Sequence, residues 1–454
     1  MFFVSILGKE AVLTDQESRQ SYGSDETEDL NLPPEVVLIP RTTEQVSEIM
    51  GYCHEHLIAV TPIGALTGLS GGALSIMGGV GLSMRRFNRI IEIDEANLQA
   101  TVEPGVITQV FQEAVLEKGL FYPPDPASRG SCTIGGNLAE SSGGPKAVKY
   151  GVTRDYIINL EVVLADGTKM WTGANVLKNA TGYDLTRLIV GSEGTLAVIT
   201  KAVFRLIPRM KFDLLMLVPF QDAKKACEAV SATFRAGITP SSMEFMERDA
   251  LLWVNEFIGG DVAIPDEIQA HLLIEVDGNY EETLFKDCEI IAEVMEAHGS
   301  GEILFASSAS EKDKLWLMRR KVAEAVKANS IYKEEDTVVP RFKLPELLDG
   351  VKRIGAAYGF KSVCYGHAGD GNLHVNIIKG QMSDEDWNNK LTQGIRELFR
   401  LVVDLGGTIS GEHGIGLVQK DYMDIAFKEN ELELMRSIKR VFDTKGILNP
   451  MKIF

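Results

Sequence analysis

No two of the five cysteines, Cys53, Cys132, Cys227, Cys288 and Cys364, form a CxxC pair, and their number is odd. That excludes a sequence-evident disulfide framework, cysteine metal site or iron–sulfur cluster, and it fits a reducing cytoplasm. Long apolar runs are missing too. None reaches the roughly 18 residues that a membrane-spanning helix needs. The opening Phe2-Phe3-Val4-Ser5-Ile6-Leu7 lacks a basic flank and stops at Gly8-Lys9-Glu10, too short for a secretory core. The expected location is cytoplasmic, with any membrane association through a partner. Positive charge is scarce: 46 Lys and Arg against 64 Asp and Glu give a net charge of −18 and a pI near 5.0. Nucleic acid and anionic membrane surfaces are disfavoured as general partners, so an anionic ligand would need a local basic pocket.

What is present is ample for globular folding. A chain of 454 residues, 45% apolar and 24% charged, predicts two or three domains, each with its own core. Residues 34–208 are rich in glycine and in short β-branched runs such as Ile90–Ile93, Ala100–Val102 and Leu160–Leu164, the last followed by an Asp166-Gly167 turn. Helical spacing appears in Thr43–Met50 and Val106–Val115. Beyond Pro208, helix 223–235, strand 271–276, helix 281–298 and strand 303–305 alternate, which suggests a compact sheet backed by helices. A final helix is expected over 429–444, before Gly446 and Asn449-Pro450. The fold class is α+β.

Three glycine clusters stand out: Thr61–Gly72, Thr133–Gly144 and Gly191–Thr195. Such turns expose backbone N–H groups and can wrap a pyrophosphate, although each alone reads equally as a tight turn. None has the GxGxxG or GxxxxGK[ST] pattern, so Rossmann and Walker cofactor sites are excluded. Together they suggest a long, bent ligand.

The other inventory is His367-Ala-Gly-Asp-Gly-Asn-Leu-His374 with Gly411-Glu412-His413-Gly414. Alternation through Asn372–Ile378 predicts a strand with Asn372, His374 and Asn376 on one face, looking into a cavity. If Gly411–Gly414 is extended, Glu412 and His413 point to opposite sides. Imidazole and carboxylate ligands suit Zn²⁺ or Mn²⁺, with open positions for substrate. Asp370 reads as a turn residue, and His54, His56, His271 and His298 as ordinary surface or core histidines. A basic patch in the helix-like 311–322 favours Arg319 as a carboxylate clamp, with Arg320 and Lys321 on a solvated face.

The run Pro40–Val46, the Gly64–Gly72 loop, Pro123-Pro124-Asp125-Pro126, Gly135-Gly136-Asn137, Ser142-Gly143-Gly144, Tyr150-Gly151 and Gly191-Ser192-Glu193-Gly194-Thr195 resemble the FAD-binding domain of the vanillyl-alcohol oxidase superfamily. The carboxy-terminal half resembles the branch of D-lactate dehydrogenase, glycolate oxidase large subunit and D-2-hydroxyglutarate dehydrogenase. The likeness runs from about residue 35 to Phe454. It implies a two-subdomain FAD-binding domain over 1–208, an α/β cap domain with an antiparallel sheet over 209–407, and a segment 408–454 that returns to the FAD domain with the catalytic histidine. It places Ile63, Gly64, Ala65, Leu66, Thr67, Gly68, Ser70, Pro124, Gly135, Gly136, Asn137, Ser142, Gly143, Gly151, Glu193, Gly194 and Ile199 around FAD. Where relatives carry Arg-Gly-Gly-Gly-Thr, this loop reads Ile63-Gly64-Ala65-Leu66-Thr67, with less conformational freedom. Thr67 stands where covalently flavinylated members have histidine, so non-covalent FAD is expected.

By the same resemblance His367, His374 and Glu412 bind a divalent metal, His413 is the base, and Arg319, Lys333 and Asn376 contact the substrate. The implied reaction oxidises a D-2-hydroxy acid, D-lactate or glycolate, to the keto acid, with hydride transfer to flavin N5. Ala323 replaces a hydroxyl found in relatives that handle a longer diacid. Electrons then pass to an iron–sulfur subunit, an electron-transfer flavoprotein or a quinone pathway, and a homodimer is compatible. Alternatives are a D-2-hydroxyglutarate dehydrogenase, a metal hydrolase, a non-redox flavoprotein of the ether-lipid synthase kind, and a flavin-carrying subunit of a larger electron-transfer complex.

Overall fold

The computed structural model of the chain describes residues 2–260 and 262–454. It divides into two compact units, one holding the residues up to Gly143, Gly151–Arg209 and Glu412–Phe454, the other Gly144–Tyr150 and Met210–Gly411. The chain therefore changes unit after Gly143, Tyr150, Arg209 and Gly411, where the resemblance implies changes only after 208 and 407.

In the first unit the expected helix near residue 43 spans Thr43–His56, opened by the Thr42 hydroxyl accepting the Gln45 N–H. Val46, Ile49, Met50 and Cys53, spaced for one helical face, are fully buried against a four-stranded sheet. Burial of side chains this size contributes about 1.5–3 kcal/mol each. That sheet runs Val12–Leu13, Val36–Leu38, Val80–Ser83, Val60–Ile63, with its last two pairings parallel. A five-stranded antiparallel sheet runs Ile90–Asp94, Gln99–Val102, Val198–Arg205, Ile157–Val163, Lys169–Trp171. Its final hairpin turns at Asp166-Gly167, as the sequence suggests.

Two helix ends differ from expectation for local reasons. The helix expected from Val106 starts at Thr108, because Ile107 stays extended in a bridge to Thr133. The last helix, Glu429–Phe442, stops short of Thr444 because the Asp443 carboxylate accepts the N–H groups of Ile447 and Leu448 and turns the chain.

The second unit is built on one seven-stranded sheet. In spatial order its strands are Leu304–Phe305, Phe212–Phe220, Ala270–Gly278, Ser242–Glu247, Lys361–Gly366, Asn372–Ile378 and Tyr332–Val338. Each pairing is antiparallel. Helix Arg248–Phe257 and the segment 309–329 cover one face, packing Leu251, Val254, Trp316, Met318, Ala325 and Val326 against Met246, Leu273, Val363, Tyr365 and Ile378. The helix expected over 311–322 spans Ala309–Arg320, breaks at Lys321 and resumes as Val322–Asn329. Entry into the strand Asn372–Ile378 depends on Gly371: its φ is +80°, and an added Cβ would lie 1.9 Å from the Val339 carbonyl oxygen.

Candidate active site

Strand register decides which side chains share the covered face of the second sheet. His374 stands opposite Asp336 and Tyr365, and Asn376 opposite Glu334 and Val363, so these six point the same way. All seven residues of Asn372–Ile378 are buried. The expected polar face is therefore buried within the second unit.

Within that unit each imidazole turns Nδ1 to a buried carboxylate. His367 Nδ1 lies 2.8 and 3.0 Å from the two Glu244 oxygens, and His374 Nδ1 lies 3.2 Å from Glu334 Oε1 and 3.9 Å from Asp336 Oδ1. The ring centroids are 5.6 Å apart. In metal-ligating histidines a hydrogen-bonded carboxylate on one nitrogen fixes the tautomer and assigns the ligand role to the other, which for His367 is Nε2; the His374 Nδ1 contact with Glu334 is a close approach without a hydrogen bond. Arg319, 5% exposed, places Nη2 2.7 Å from Glu244 Oε2 and its guanidinium 5.3 Å from the Tyr365 ring centroid. Two buried imidazoles side by side, with carboxylates next to them, are the donor chemistry that a divalent cation takes. The residues fit a divalent cation on that ground.

Asn376 is fully buried beside the Tyr365 hydroxyl, and among the described residues neither its Nδ2 nor its Oδ1 has a well-aligned hydrogen-bond partner. An unsatisfied buried amide suits a ligand contact. Lys333 requires a correction. It pairs with Ile377, and the two-residue period turns it to the opposite face from His374 and Asn376, with Glu334 taking the place expected of it. Ala323 is exposed, as are Arg320's neighbours Leu317 and Glu324.

Asp336 also fixes the chain leading to the remaining candidates. It accepts hydrogen bonds from Asn372 Nδ2 (2.7 Å), the Ser410 hydroxyl (3.1 Å) and the Gly411 N–H (2.7 Å). Glu412 and His413 follow in a bend, not the extended run considered from the sequence. In the first unit the next turn is held by Glu193, whose oxygens accept the N–H groups of Ile415 (2.8 Å) and Gly416 (2.6 Å), while the Ser70 carbonyl accepts the Leu417 N–H (2.8 Å).

The three glycine clusters converge in this first unit. Gly64 packs so closely on Thr133 that an added Cβ would lie 2.9 Å from its hydroxyl. Thr133 caps the helix Ile134–Glu140, which carries Gly135, Gly136 and Asn137. The carbonyls of Leu138 and Ala139 accept the N–H groups of Gly191 and Glu193. Ser142, Gly143 and Gly151 follow on the same unit, where the Ser142 carbonyl accepts from Thr153. Pro124 accepts from Gln112, and Ile199 lies in the strand Val198–Arg205. Within the first loop Leu66 adopts φ +58°, a strained left-handed conformation for a large side chain, while Ala65 is exposed and Thr67 and Gly68 are half-buried. The Ser70 hydroxyl is buried without a hydrogen-bond partner. Burial, with Glu193 and Asp25 nearby, pushes the Glu140 carboxyl well up. Burial also raises Glu193, opposed by its two N–H donors and Lys452. Since Glu193 accepts two N–H groups and Glu140 Oε2 none, the proton of this pair belongs on Glu140.

A surface cavity of about 410 Å³ in the same unit is lined by Arg89, Glu103, Glu161, Lys201 and Trp171. Arg89 is paired with Glu103 and Lys201 with Glu161 across its lining.

Sequence reasoning missed Glu244, Glu334 and Asp336. Their signal was an acid inside an apolar strand, Ser242-Met243-Glu244-Phe245-Met246, and the acidic run Glu334-Glu335-Asp336. Among the described residues no helix is long and apolar enough to cross a membrane.

Comparison with known proteins identifies both halves of the chain. Residues 34–173 match an FAD binding domain, and residues 210–453 match the C-terminal domain of FAD linked oxidases. The glycolate oxidase subunit GlcD of Bacillus subtilis (strain 168) is 38% identical, with 99% of this chain and 95% of that protein covered. A D-lactate dehydrogenase of Anaerostipes hadrus is 37% identical, covering 92% of this chain and 89% of the relative. The solved p-cresol methylhydroxylase with bound substrate superposes with a TM-score of 0.80 at 19% identity, over 99% of this chain and 95% of that one. At that identity the likeness speaks for the fold alone, and that fold is of the expected α+β class. The cofactor of such a domain is FAD, and with both halves matched and relatives similar along nearly their whole length, the chain belongs to the FAD-linked oxidase family.

Proposed function

We propose that the protein is a metal-assisted dehydrogenase of small D-2-hydroxy acids, D-lactate or glycolate, with His413 as general base. The observation that carries this reading is the pair of buried imidazoles, His367 hydrogen-bonded through Nδ1 to Glu244 and His374 with Nδ1 3.2 Å from Glu334. His367, His374 and Glu412 would hold a divalent cation, Zn²⁺ or Mn²⁺. Arg319 would bind the substrate carboxylate through the part of its guanidinium not turned to Glu244, and the unsatisfied Asn376 amide would supply a further polar contact. His413 would take the hydroxyl proton as the C2–H bond breaks. Asp336 and Glu193 hold the backbone on either side of Glu412-His413, limiting the reorganisation needed at that step.

Bound FAD supplies the two-electron oxidant, and a bound cation lowers the alcohol's pKa and fixes its orientation. FAD would be held without a covalent link, since the loop carries Thr67 and no histidine lies between His56 and His271. A monocarboxylate is favoured over a hydroxy diacid, because register turns Lys333 away and Ala323 carries no polar group. Electrons would leave to an external acceptor, an iron–sulfur subunit, an electron-transfer flavoprotein or a quinone pathway.

The test is His413→Ala. It should bind flavin with an unchanged visible spectrum yet show turnover and anaerobic flavin reduction by D-lactate reduced by about 10²–10⁴-fold. Normal flavin reduction in that variant would overturn the assignment.

A further inference from the structure

Glu244 is wholly buried in the strand Ser242–Glu247, and its carboxylate reaches two groups with different tasks. Its Oε2 is 2.7 Å from Arg319 Nη2 and 2.8 Å from His367 Nδ1, and its Oε1 is 3.0 Å from the same imidazole nitrogen. Arg319 comes from the helix Ala309–Arg320 and His367 from the end of the strand Lys361–Gly366, so three separate elements converge on one acid. A carboxylate can accept from the imidazole and at the same time be the counter-ion of the guanidinium, and no neutral side chain of that size does both.

We propose that Glu244 is a positioning residue that couples the substrate clamp to the metal ligand. It touches neither cation nor substrate. By accepting the Nδ1 proton of His367 it presents Nε2 as the ligand atom, and by pairing with Arg319 it fixes the edge of the guanidinium left for a substrate carboxylate. The two settings cannot be adjusted independently, since moving the acid to suit one donor strains the other. The inference rests on the reading of His367 as a cation ligand and of Arg319 as the substrate clamp.

The glutamine variant separates this role from simple packing. Glu244→Gln keeps the shape but removes the charge paired with Arg319 and leaves His367 one acceptor oxygen in place of two. In the flavin-loaded protein, competition between a chromophoric chelator and Zn²⁺ or Mn²⁺ should show affinity lowered 10- to 100-fold. The KM for D-lactate should rise about tenfold or more, and the flavin spectrum should not change. Glu244→Asp should recover part of both losses. Arg319→Lys should raise KM and, through the shared acid, also lower cation affinity, though less than Glu244→Gln does, and an unchanged cation affinity there would count against the coupling. Cation affinity and KM both close to the parent values in Glu244→Gln would overturn the proposal, as would a change in only one of them.

A further measurement is independent of cation binding. In the chelated parent protein, ¹⁵N NMR of His367, assigned by loss of its signal in His367→Gln, should show Nδ1 carrying the proton. An unprotonated Nδ1 would overturn the orienting contact whatever the cation result. A parent that binds neither cation while keeping the Nδ1 proton would sink the metal reading above and uphold the contact to Glu244.

Discussion

Replacing Glu193 by Gln tests whether an ionised carboxylate holds the turn after His413. The acid accepts two backbone N–H groups, Ile415 at 2.8 Å and Gly416 at 2.6 Å, in a buried setting. Glutamine keeps one acceptor and faces the other N–H with its own NH₂. One charge-assisted hydrogen bond, about 1.5–3 kcal/mol, is lost, and one buried donor is stranded at a cost of similar size. The two losses overlap, so a total of about 3 kcal/mol is expected, equivalent to roughly 6–12 °C in Tm for a unit of this size. His413 lies two residues before Ile415, and a shift on the order of 1 Å at a reacting group costs about 10²-fold in rate. The assay is thermal unfolding of the flavin-loaded protein by circular dichroism, with kcat and KM for D-lactate measured alongside. Glu140→Gln is the control: its carboxyl is held protonated and Oε2 accepts no N–H, so the amide should change Tm by only about 1–2 °C. Equal, small effects of the two substitutions would refute the reasoning, because Glu193 would then be the protonated partner or would not hold the turn.

Lys333→Ala should leave KM for D-lactate within about twofold, since that side chain lies on the opposite sheet face from His374, and a tenfold rise would contradict the register. His271, 3% exposed, has its pKa lowered from 6.5 to about 4 by burial. The unfolded chain therefore takes up a proton between pH 6.5 and 4 that the folded protein refuses, and stability falls as pH drops through that window. The full effect is about 3 kcal/mol, so His271→Leu should flatten the fall in urea midpoint between pH 7.5 and pH 5, and an unchanged acid slope would count against it.

Much of the architecture was legible because it follows from local rules. Val46, Ile49, Met50 and Cys53 announce a helix by spacing, and the alternation through Asn372–Ile378 announces a strand. Helix ends were less so, since Thr108 and Phe442 are set by a bridge to Thr133 and by the Asp443 carboxylate, neither of which spacing encodes. The histidine cluster was visible from its glycine-flanked spacing. Its carboxylate partners were not, because Glu244 meets His367 across 123 positions and only the strand pairing brings them together. Register likewise decides between Lys333 and Glu334, where a displacement of one residue exchanges the two faces.

The account stands on a divalent cation and FAD acting on one small hydroxy acid. The most direct measurement is anaerobic reduction of the flavin by D-lactate in protein stripped by a chelator and then titrated with Zn²⁺ or Mn²⁺. Stripping should slow bleaching of the visible flavin band by about 10²-fold or more, with recovery on stoichiometric cation and none in His374→Ala. Full-rate bleaching of the stripped protein would contradict the account.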